Sequence, residues 1–537
     1  MGSTSRRTRT RSRRWLWAPV ALLAVAALGV AAGVVWWSGA TLRPDAVGLA
    51  RVELQPLAGS LVSATASGAD GAKIPLAVAG GRLTPRALVA PGERVTVVVR
   101  VRRPRWLRWA LGSSRTERLA MTAPPPALQD RWLSVASGVP LELRFADPVA
   151  RVSYRTAHGR TTVQVGGKRV VSLGVQAPSG TTEVASAVRP WERLGGRVRV
   201  TWFPVSSRPV VLVSPGADEP ISPRAPIRLT FSQPIDKALG AARPRFSAKV
   251  PGRWSEPDSH TLVFTPSGFG FPLAGSLHLE LPAGLGTVSG TKAVEPVSMV
   301  DWTIAGAGFL RLQQLLADAG YLPVSWHPAG APVAHRLVAE VNAAVDPPAG
   351  GFSWRFPHTP PELKRLWVVG KPNTITRGAV MMFEHDHGLP VDGSAGPQVW
   401  HALLRDAVAG TRRTNGYSYV YVHRNVPQLL TLWHNGRTVL TSPGNTGVPA
   451  APTQLGTFAV FEHIPVGTMS GTNPDGSHYH DPAIRWISYF HRGEALHAFN
   501  RASFGTPQSL GCVELPLATA AKVWPYTPIG TLVTIEN

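Results

Sequence analysis

Short β-branched runs, each ended by proline, glycine or aspartate, fill the chain from about Thr41 to Ile304. Residues 94–101 are rich in valine, and residues 197–203 and 227–231 alternate apolar with polar side chains. A period of two buries one face of a strand, and the turn residues keep each strand short. Because the 53 glycines and 50 prolines follow no Gly-X-Y period, collagen is excluded and the pattern predicts β-sandwich domains.

The length and composition fit several folded domains. The chain has 537 residues, of which 44% are hydrophobic, so it can bury enough apolar surface to offset the entropy of ordering. Proline-rich seams near residues 123–126 and 206–215 divide the β-rich part into three segments. We therefore expect a mainly β, multidomain protein rather than a disordered one.

The N-terminus combines a basic tail with a long apolar segment. Residues 1–14 contain six arginines and no acid, and residues 15–37 are uncharged. As a helix the apolar segment is about 34 Å long, enough to cross a hydrocarbon core of roughly 30 Å. Arginines on one side and tryptophans at both ends suit a single-pass membrane helix with a cytoplasmic N-terminus. The alternative is a cleaved signal peptide, whose apolar region is usually about 7–15 residues long.

The charge balance limits the partners. The formal net charge is +23, from 55 basic and 32 acidic residues. For an exported chain the expected acidic partners are lipid headgroups or an anionic cell envelope, and no nucleic acid. The alternative is a solvated basic face without a specific partner.

At Phe309 the apolar spacing changes from that of strands to that of helices. The predicted helices are residues 309–321, 374–387 and 399–408. The turn Gly388-Leu-Pro-Val-Asp-Gly-Ser-Ala-Gly396, followed by a helix with Trp400, resembles the small three-helix peptidoglycan-binding domain. The resemblance covers residues 309–320 and 374–409, which an insert separates. The alternative is a helical spacer that binds nothing, because fold does not imply function.

Residues 417–537 return to strand patterning and contain two hairpin signals. Asn435-Gly436 lies between two apolar runs and predicts a tight turn. Arg492-Gly493-Glu494 predicts a second hairpin, whose outgoing strand contains His497. The only cysteine, Cys512, follows in Ser509-Leu-Gly-Cys-Val-Glu-Leu-Pro516. The predicted strands are residues 417–423, 428–433, 437–441, 456–461, 485–490, 495–499 and 531–536, with a short helix at 518–524.

One unpaired cysteine excludes an intrachain disulfide and a zinc site built from several thiolates. A lone cysteine is usually a small buried hydrophobe, yet an exported one risks oxidation without structural gain. Small residues at Ser509 and Gly511 would let the backbone N–H groups of Gly511 and Cys512 stabilise an oxyanion. His497 on a neighbouring strand is a candidate base for the thiol. Together these residues predict acyl transfer through a thioester.

His497 followed by Ser509-x-Gly511-Cys512-Val513, after Thr446-Gly447 and residues 452–458, resembles the catalytic domain of the L,D-transpeptidase (YkuD) family. The resemblance implies that Cys512 is the nucleophile and His497 the proton donor and acceptor. The donor would be a peptidoglycan stem tetrapeptide that loses its terminal D-alanine. The acceptor would be the side-chain amine of another stem, which gives a 3→3 cross-link. No cofactor is implied, and carbapenems are the expected inhibitors.

The same resemblance assigns supporting or substrate-binding positions. Tyr479, in Ser477-His-Tyr-His-Asp481, is expected to line the donor site, and Ser509 to support the nucleophile. Three residues depart from the family pattern. Leu510 stands in place of a histidine, Ala498 in place of glycine or serine, and Glu514 in place of arginine or asparagine. Leu510 removes a side-chain donor, Ala498 leaves a backbone carbonyl to orient His497, and Glu514 brings negative charge near the acceptor site.

The whole chain is interpreted as a membrane-anchored L,D-transpeptidase whose β spacers reach from the bilayer into the wall. The sequences at 229–235 and 261–266 resemble bacterial immunoglobulin-like wall-spacer domains. The expected divisions are a cytoplasmic tail 1–14, a membrane helix 15–37, an immunoglobulin-like spacer 41–125, a β-rich spacer 126–205, an immunoglobulin-like domain 209–305, the helical domain with its insert 307–410, and the catalytic domain 415–537.

Two rival functions stay open on the sequence alone. Water could accept the acyl group, which would make the chain an L,D-carboxypeptidase or wall hydrolase. Alternatively, the chain is a wall-binding scaffold whose catalytic domain has decayed at the three departing positions.

Two groups of polar residues resemble metal ligands. Glu384-His-Asp-His387 falls at an ordinary helix end, and His478 and His480 lie in a Gly/Asp-rich loop, so no metal is expected at either. HExxH, Walker A and GxGxxG signals do not occur in a useful context.

Overall fold

The structure is a computed structural model that describes residues 18–156, 159–217, 220–289 and 298–537. Its contacts divide the chain into two units, Met1–Ser207 and Arg208–Asn537. Each unit is mainly β, as the strand patterning predicts.

The first unit begins with an uncharged helix, α1 (Ala18–Trp37). The basic tail 1–14 and the first residues of the predicted membrane helix lie outside the described residues. Among the residues described with their side chains, no helix is both long and apolar enough to cross a membrane. The membrane anchor therefore stays a prediction.

Two four-stranded sheets follow α1 and share one core. Their orders are β1-β2-β6-β5 and β4-β3-β7-β8. Val95, Val97, Val99 and Val101 are fully buried, so one face of the valine-rich run lies in the core. The strands are β1 (Ala40–Pro44), β2 (Ala50–Leu54), β3 (Leu61–Ser67), β4 (Lys73–Ile74), β5 (Leu76–Ala79), β6 (Arg82–Pro85), β7 (Arg94–Arg102) and β8 (Ser114–Thr122), with the short helix α2 (Arg108–Leu111) between the last two.

A five-stranded sheet completes the first unit, in the order β11-β10-β12-β13-β9. Its core contains Leu143, Phe145 and Trp202. The strands are β9 (Trp132–Val135), β10 (Pro140–Thr156), β11 (Gly159–Val175), β12 (Gly180–Ala187) and β13 (Val198–Pro204).

The second unit opens with a third β domain. A five-stranded sheet (β17-β18-β15-β14-β20) and a three-stranded sheet (β16-β19-β21) pack on a core that includes Phe231 and Trp302. The elements are β14 (Val210–Ser214), β15 (Ile227–Phe231), α3 (Ile235–Leu239), β16 (Arg245–Phe246), β17 (Gly252–Asp258), β18 (Thr261–Pro266), β19 (Ser276–Glu280), β20 (Gly286–Ser289) and β21 (Met299–Thr303).

The helical domain contains the three predicted helices, now bounded as α4, α7 and α8. The insert between them, whose structure the sequence does not predict, folds as an antiparallel strand pair (β22 and β23) and two short helices. The elements are α4 (Phe309–Asp318), β22 (Val324–Pro328), α5 (Leu337–Val345), β23 (Gly350–Trp354), α6 (Pro361–Arg365), α7 (Thr374–Asp386) and α8 (Pro397–Ala409).

The C-terminal domain consists of two sheets that enclose one core. The orders are β26-β25-β24-β32-β27 and β28-β29-β30-β31. Val420 and Leu432 of the first sheet meet Leu496 and Val513 of the second in this core. The elements are β24 (Ser418–His423), β25 (Leu429–His434), β26 (Arg437–Pro443), β27 (Gly456–Ala459), β28 (Glu462–Thr472), β29 (His478–His491), β30 (Glu494–Ala498), β31 (Val513–Leu515), α9 (Leu517–Val523) and β32 (Leu532–Glu536).

One continuous core joins the last three domains. Trp302 of the third β domain, Phe383 and Trp400 of the helical domain, and Tyr419 and Leu532 of the C-terminal domain all belong to it. Where α7 meets the C-terminal domain the backbones touch, since a Cβ added to Gly378 would lie 2.6 Å from the Gly530 carbonyl oxygen. The helical domain is therefore fixed against the C-terminal domain rather than tethered by a loop.

Candidate active site

His497 and Cys512 belong to neighbouring strands of the C-terminal domain. β30 and β31 pair in parallel, with Leu496 opposite Val513 and His497 opposite Glu514. Cys512 directly precedes β31, so extending the register puts it beside Ala495, two residues before His497. The strand that contains His497 is therefore paired with the strand that follows the cysteine.

The imidazole of His497 is held in one orientation. Its ring is 3% exposed, and Nδ1 lies 2.9 Å from the carbonyl oxygen of Ala498. Because a carbonyl only accepts, Nδ1 must donate, which leaves Nε2 as the proton acceptor in the neutral ring. Burial lowers the pKa of His497, so this neutral form prevails at pH 7. The expectation that a backbone carbonyl orients the ring beside Ala498 is confirmed.

The Cys512 thiol is protonated in the ligand-free site. Its Sγ lies 3.7 Å from the Gly493 carbonyl oxygen, and the residue is half-buried against Ile487 and Ala495. Burial raises the pKa of Cys512 to about 12, and the negative charges of Glu514 and Glu494 add to this rise. A thiolate therefore has to form by proton transfer to a base, and His497 on the neighbouring strand is the candidate for it.

Glu514 is buried in an ion pair. Its two oxygens accept hydrogen bonds from Arg501 Nε at 2.8 Å and Nη2 at 2.7 Å, and it is 4% exposed. Arg501 Nη2 also donates to the Gln508 carbonyl oxygen at 3.1 Å. A bidentate pair of this kind compensates the desolvation of both charges and fixes the loop between β30 and β31. Glu514, which the sequence associates with the acceptor site, is thus paired with the loop between β30 and β31.

Ser509 shapes the loop that ends in the thiol. Its Oγ donates to the Cys512 carbonyl oxygen at 2.6 Å and accepts the Gly511 N–H at 3.2 Å. The Gly511 donor must leave this oxygen before it can stabilise an oxyanion. On the other side, Ser509 N donates to the Thr446 carbonyl oxygen at 3.1 Å. The Thr446-Gly447 segment quoted for the family resemblance is thus packed against the catalytic loop.

Two fully buried polar residues that the sequence analysis missed hold that segment. Asn445 Oδ1 accepts the Gly505 N–H at 2.9 Å, and Gln428 Oε1 accepts the Thr446 N–H at 2.7 Å. Both side chains are no more than 1% exposed. Their types are ordinary for loops and strand ends, so only their position in the folded chain identifies them.

Two tyrosines of β29 lie close enough to Cys512 for a charge on its sulfur to change their pKa values. Burial raises the pKa of Tyr479, and a negative charge on Cys512 raises it further. The pKa of Tyr489, a residue that the sequence analysis did not single out, is raised by the same two causes. The aromatic character of residues 485–490 predicted a strand but gave no sign that one of its rings borders the site.

The histidine-containing clusters have structural partners. Glu384 accepts N–H groups from Asp392 and Gly393, and His387 lies between the Phe383 carbonyl oxygen and Asp406 Oδ2, at 2.8 Å from each. Burial raises the pKa of Glu384 to about 7, so this carboxyl is partly protonated near neutrality. Within the described ranges, no group of three or more His, Cys, Asp or Glu side chains is arranged to hold a metal ion.

Gly511 offers a local test of the loop geometry. Alanine there should lower the free energy of unfolding by about 1–3 kcal/mol, because φ is +113° and the added Cβ would lie 3.3 Å from Glu494 Cγ and Oε1. The measurement is urea-dependent labelling of the single thiol. The matched control is Gly493→Ala, where a Cβ meets nothing within 4 Å. Equal stability of the two variants would show that the loop tolerates a side chain at Gly511.

Comparisons with known proteins agree with this geometry. Residues 417–535 match the family model of the L,D-transpeptidase catalytic domain, a segment that contains both His497 and Cys512. Residues 368–403 match the model of the peptidoglycan binding domain, which spans the start of α7 to the middle of α8. No curated protein matches the chain.

Several solved structures are similar over parts of the chain. An L,D-transpeptidase from Mycobacterium smegmatis is 13% identical and covers 61% of this chain and 99% of its own, with a TM-score of 0.21. L,D-transpeptidase 3 from Mycobacterium tuberculosis is 12% identical over 60% of this chain and 97% of its own, also with a TM-score of 0.21. The catalytic domain of the E. faecium L,D-transpeptidase is 22% identical over 23% of this chain and 99% of its own, again at 0.21.

At these TM-scores the assignment depends on the family models and on the site rather than on the structural matches. The segment matched at the C-terminus contains the buried histidine, the half-buried thiol and the loop that joins them. The C-terminal part of this chain is therefore an L,D-transpeptidase catalytic domain, and the chain is an acyltransferase of that class with a peptidoglycan binding domain upstream.

Proposed function

We propose that the chain forms 3→3 cross-links between peptidoglycan stem peptides through a thioester on Cys512. The observation that supports this most directly is the pairing of β30 with β31, which puts the neutral, oriented His497 on the strand next to the one that follows Cys512. A neutral thiol next to a neutral imidazole is the starting state for general-base activation of a nucleophile.

The proposed reaction has two half-reactions. In the first, His497 Nε2 takes the Cys512 proton as Sγ attacks the carbonyl carbon of the third stem residue. The imidazolium then protonates the departing amine of D-alanine, and a thioester forms. In the second, the neutral ring takes a proton from the acceptor amine as its nitrogen attacks the thioester, and the proton returns to Sγ.

A second candidate is a wall-binding scaffold without turnover. The strongly raised pKa of Cys512 favours it, because a thiol that stays protonated is a poor nucleophile until a base acts. The buried His497 supports the enzyme instead, since its Nδ1 bond to the Ala498 carbonyl oxygen leaves Nε2 able to act as a base.

The deciding experiment incubates the full chain in detergent with a purified disaccharide-tetrapeptide and identifies the products by mass spectrometry. A dimer joined through two third residues supports the transpeptidase. A tripeptide alone would make the chain an L,D-carboxypeptidase. The absence of both products, with tetrapeptide binding retained, would leave the scaffold.

We also propose that the N-terminal segment anchors the chain in the cell membrane, with the catalytic domain outside the cytoplasm. Its support is the uncharged helix Ala18–Trp37 and the arginines before it. In cells that express the full chain, the protein should stay with the membrane pellet after alkaline carbonate washing. Deleting residues 1–37 should release it, and a full chain found in the washed supernatant would refute the anchor.

A further inference from the structure

A cleft of about 820 Å³ separates the start of α7 in the helical domain from the edge of the catalytic domain. We propose that this cleft binds the carboxylate groups of a peptidoglycan stem peptide and leads that peptide to Cys512. The proposal rests on the proposed function, because it identifies where the substrate of the same catalytic site is held. It adds a binding site that uses residues of both domains.

The charged side chains that line the cleft have one sign. They are Arg377 and Arg492, and no aspartate or glutamate is among its lining residues. The first turn of α7, including Asn373 and Thr374, also faces the cleft, and the N-terminal end of a helix is its positive end. A ligand with free carboxylates therefore matches the cleft, and two guanidinium groups suit carboxylates in particular.

Arg377 is available for such a ligand. Its side chain is exposed, and it makes no hydrogen bond or ion pair with any residue that the structure describes. It lies across Gly393, where an added Cβ would come within 2.9 Å of Arg377 Cγ. The glycine in the turn between α7 and α8 thus leaves room for the arginine to lie along the cleft wall.

Arg492 connects the cleft to the catalytic thiol. It is the exposed residue at the turn between β29 and β30, with φ of +46°. The next residue, Gly493, places its carbonyl oxygen 3.7 Å from Cys512 Sγ. Arg492 therefore belongs to the turn whose next residue contacts the sulfur, and this continuity along the chain favours a substrate over an unrelated anion.

The cleft also offers apolar surface and a fixed width. Phe309 and Phe461 are each 39% exposed and line it together with Met381. These side chains suit the methyl groups and methylene chain of a stem peptide. Because Gly378 and Gly530 meet backbone to backbone beside the cleft, its two walls cannot shift freely. The occupant we assign is the stem peptide, not an anionic wall polymer.

The test measures binding separately from turnover. In the Cys512→Ala full chain, isothermal calorimetry with purified disaccharide-tetrapeptide gives Kd without reaction. We expect Arg377→Gln and Arg492→Gln each to raise Kd about tenfold, and the double variant by more, since each removes a charge-assisted contact. The matched control is Arg405→Gln, an exposed arginine of α8 outside the cleft, which should leave Kd unchanged. A tetrapeptide with amidated carboxyls should bind wild type and double variant alike.

Two outcomes would overturn the proposal. The first is a double variant that binds the tetrapeptide as tightly as the parent chain. The second is a poly(glycerol phosphate) that loses affinity in the double variant while the tetrapeptide does not, which would make a phosphate polymer the occupant. Neither outcome concerns the proposed function, which fails only if the unaltered chain makes no product from the tetrapeptide. Circular dichroism of each variant checks that it is folded.

Discussion

Replacing Cys512 by alanine is expected to abolish the cross-linked dimer, with a loss of at least about 10³-fold, since the thioester cannot form without the sulfur. The side chain is small and half-buried, so the fold should survive its loss. The measurement is the mass-spectrometric yield of dimer from disaccharide-tetrapeptide, with calorimetric binding of the same compound as the control for folding. Full activity of the alanine variant would refute the thioester mechanism.

Replacing His497 by glutamine is expected to lower the rate of acylation by at least about 10²-fold, because the protonated thiol loses its base. Glutamine keeps a polar side chain of similar size but has no titratable group, so the variant removes the base while the buried position stays filled. Acylation is followed as release of D-alanine in a single turnover. A variant with wild-type rate would assign the proton transfer to another group.

The pH dependence tests the same step. Since burial lowers the pKa of His497 from its usual 6.5, the acylation rate should rise with pH only below 6.5 and then stay level. Ionisation of the thiol causes no further change in the acylation rate near neutral pH, because the pKa of Cys512 is raised to about 12. This acid limb should disappear in the glutamine variant. A bell-shaped profile with a fall above neutrality would instead indicate a thiolate–imidazolium pair in the resting enzyme.

The lowered pKa of His497 also makes the stability of the fold depend on pH. As pH falls below 6.5, the imidazole of His497 takes up a proton more readily in the unfolded chain than in the folded one. The free energy of unfolding therefore decreases in this range. Above 6.5 both states hold the ring neutral, and the contribution no longer changes with pH.

Short sequence patterns predicted the turns and strands that depend only on residues close together in the chain. Asn435-Gly436 forms the expected turn, with φ of +48° and +88°, because these two residues tolerate left-handed backbone better than others. The hairpin at Arg492-Gly493 and the placement of His497 on its outgoing strand are likewise confirmed. The positions of His497 and Cys512 follow from this hairpin and from the family resemblance together.

Other features depend on contacts between distant segments, which no local pattern reports. Arg501 and Glu514 are 13 residues apart, and only the folded loop pairs them. The insert between α4 and α7 has too few residues in each element for its periodicity to be recognised. The cleft uses Arg377 and Arg492, which are 115 residues apart by their numbers (492 − 377) and belong to different predicted domains. Sequence spacing could not have related them.

The continuous core across the last three domains limits how this enzyme could have been assembled. A cut before Ser418 would uncover Tyr419, Trp433 and Leu532, which are at most 2% exposed in the intact chain. The resulting fragment would present a broad apolar patch to water and tend to aggregate. The family models match two separate segments, but exchange of one of them alone would leave this apolar surface uncovered. A fusion protein that contains residues 417–535 without the rest should therefore be insoluble. A fusion that contains all of residues 208–537 should fold as one unit.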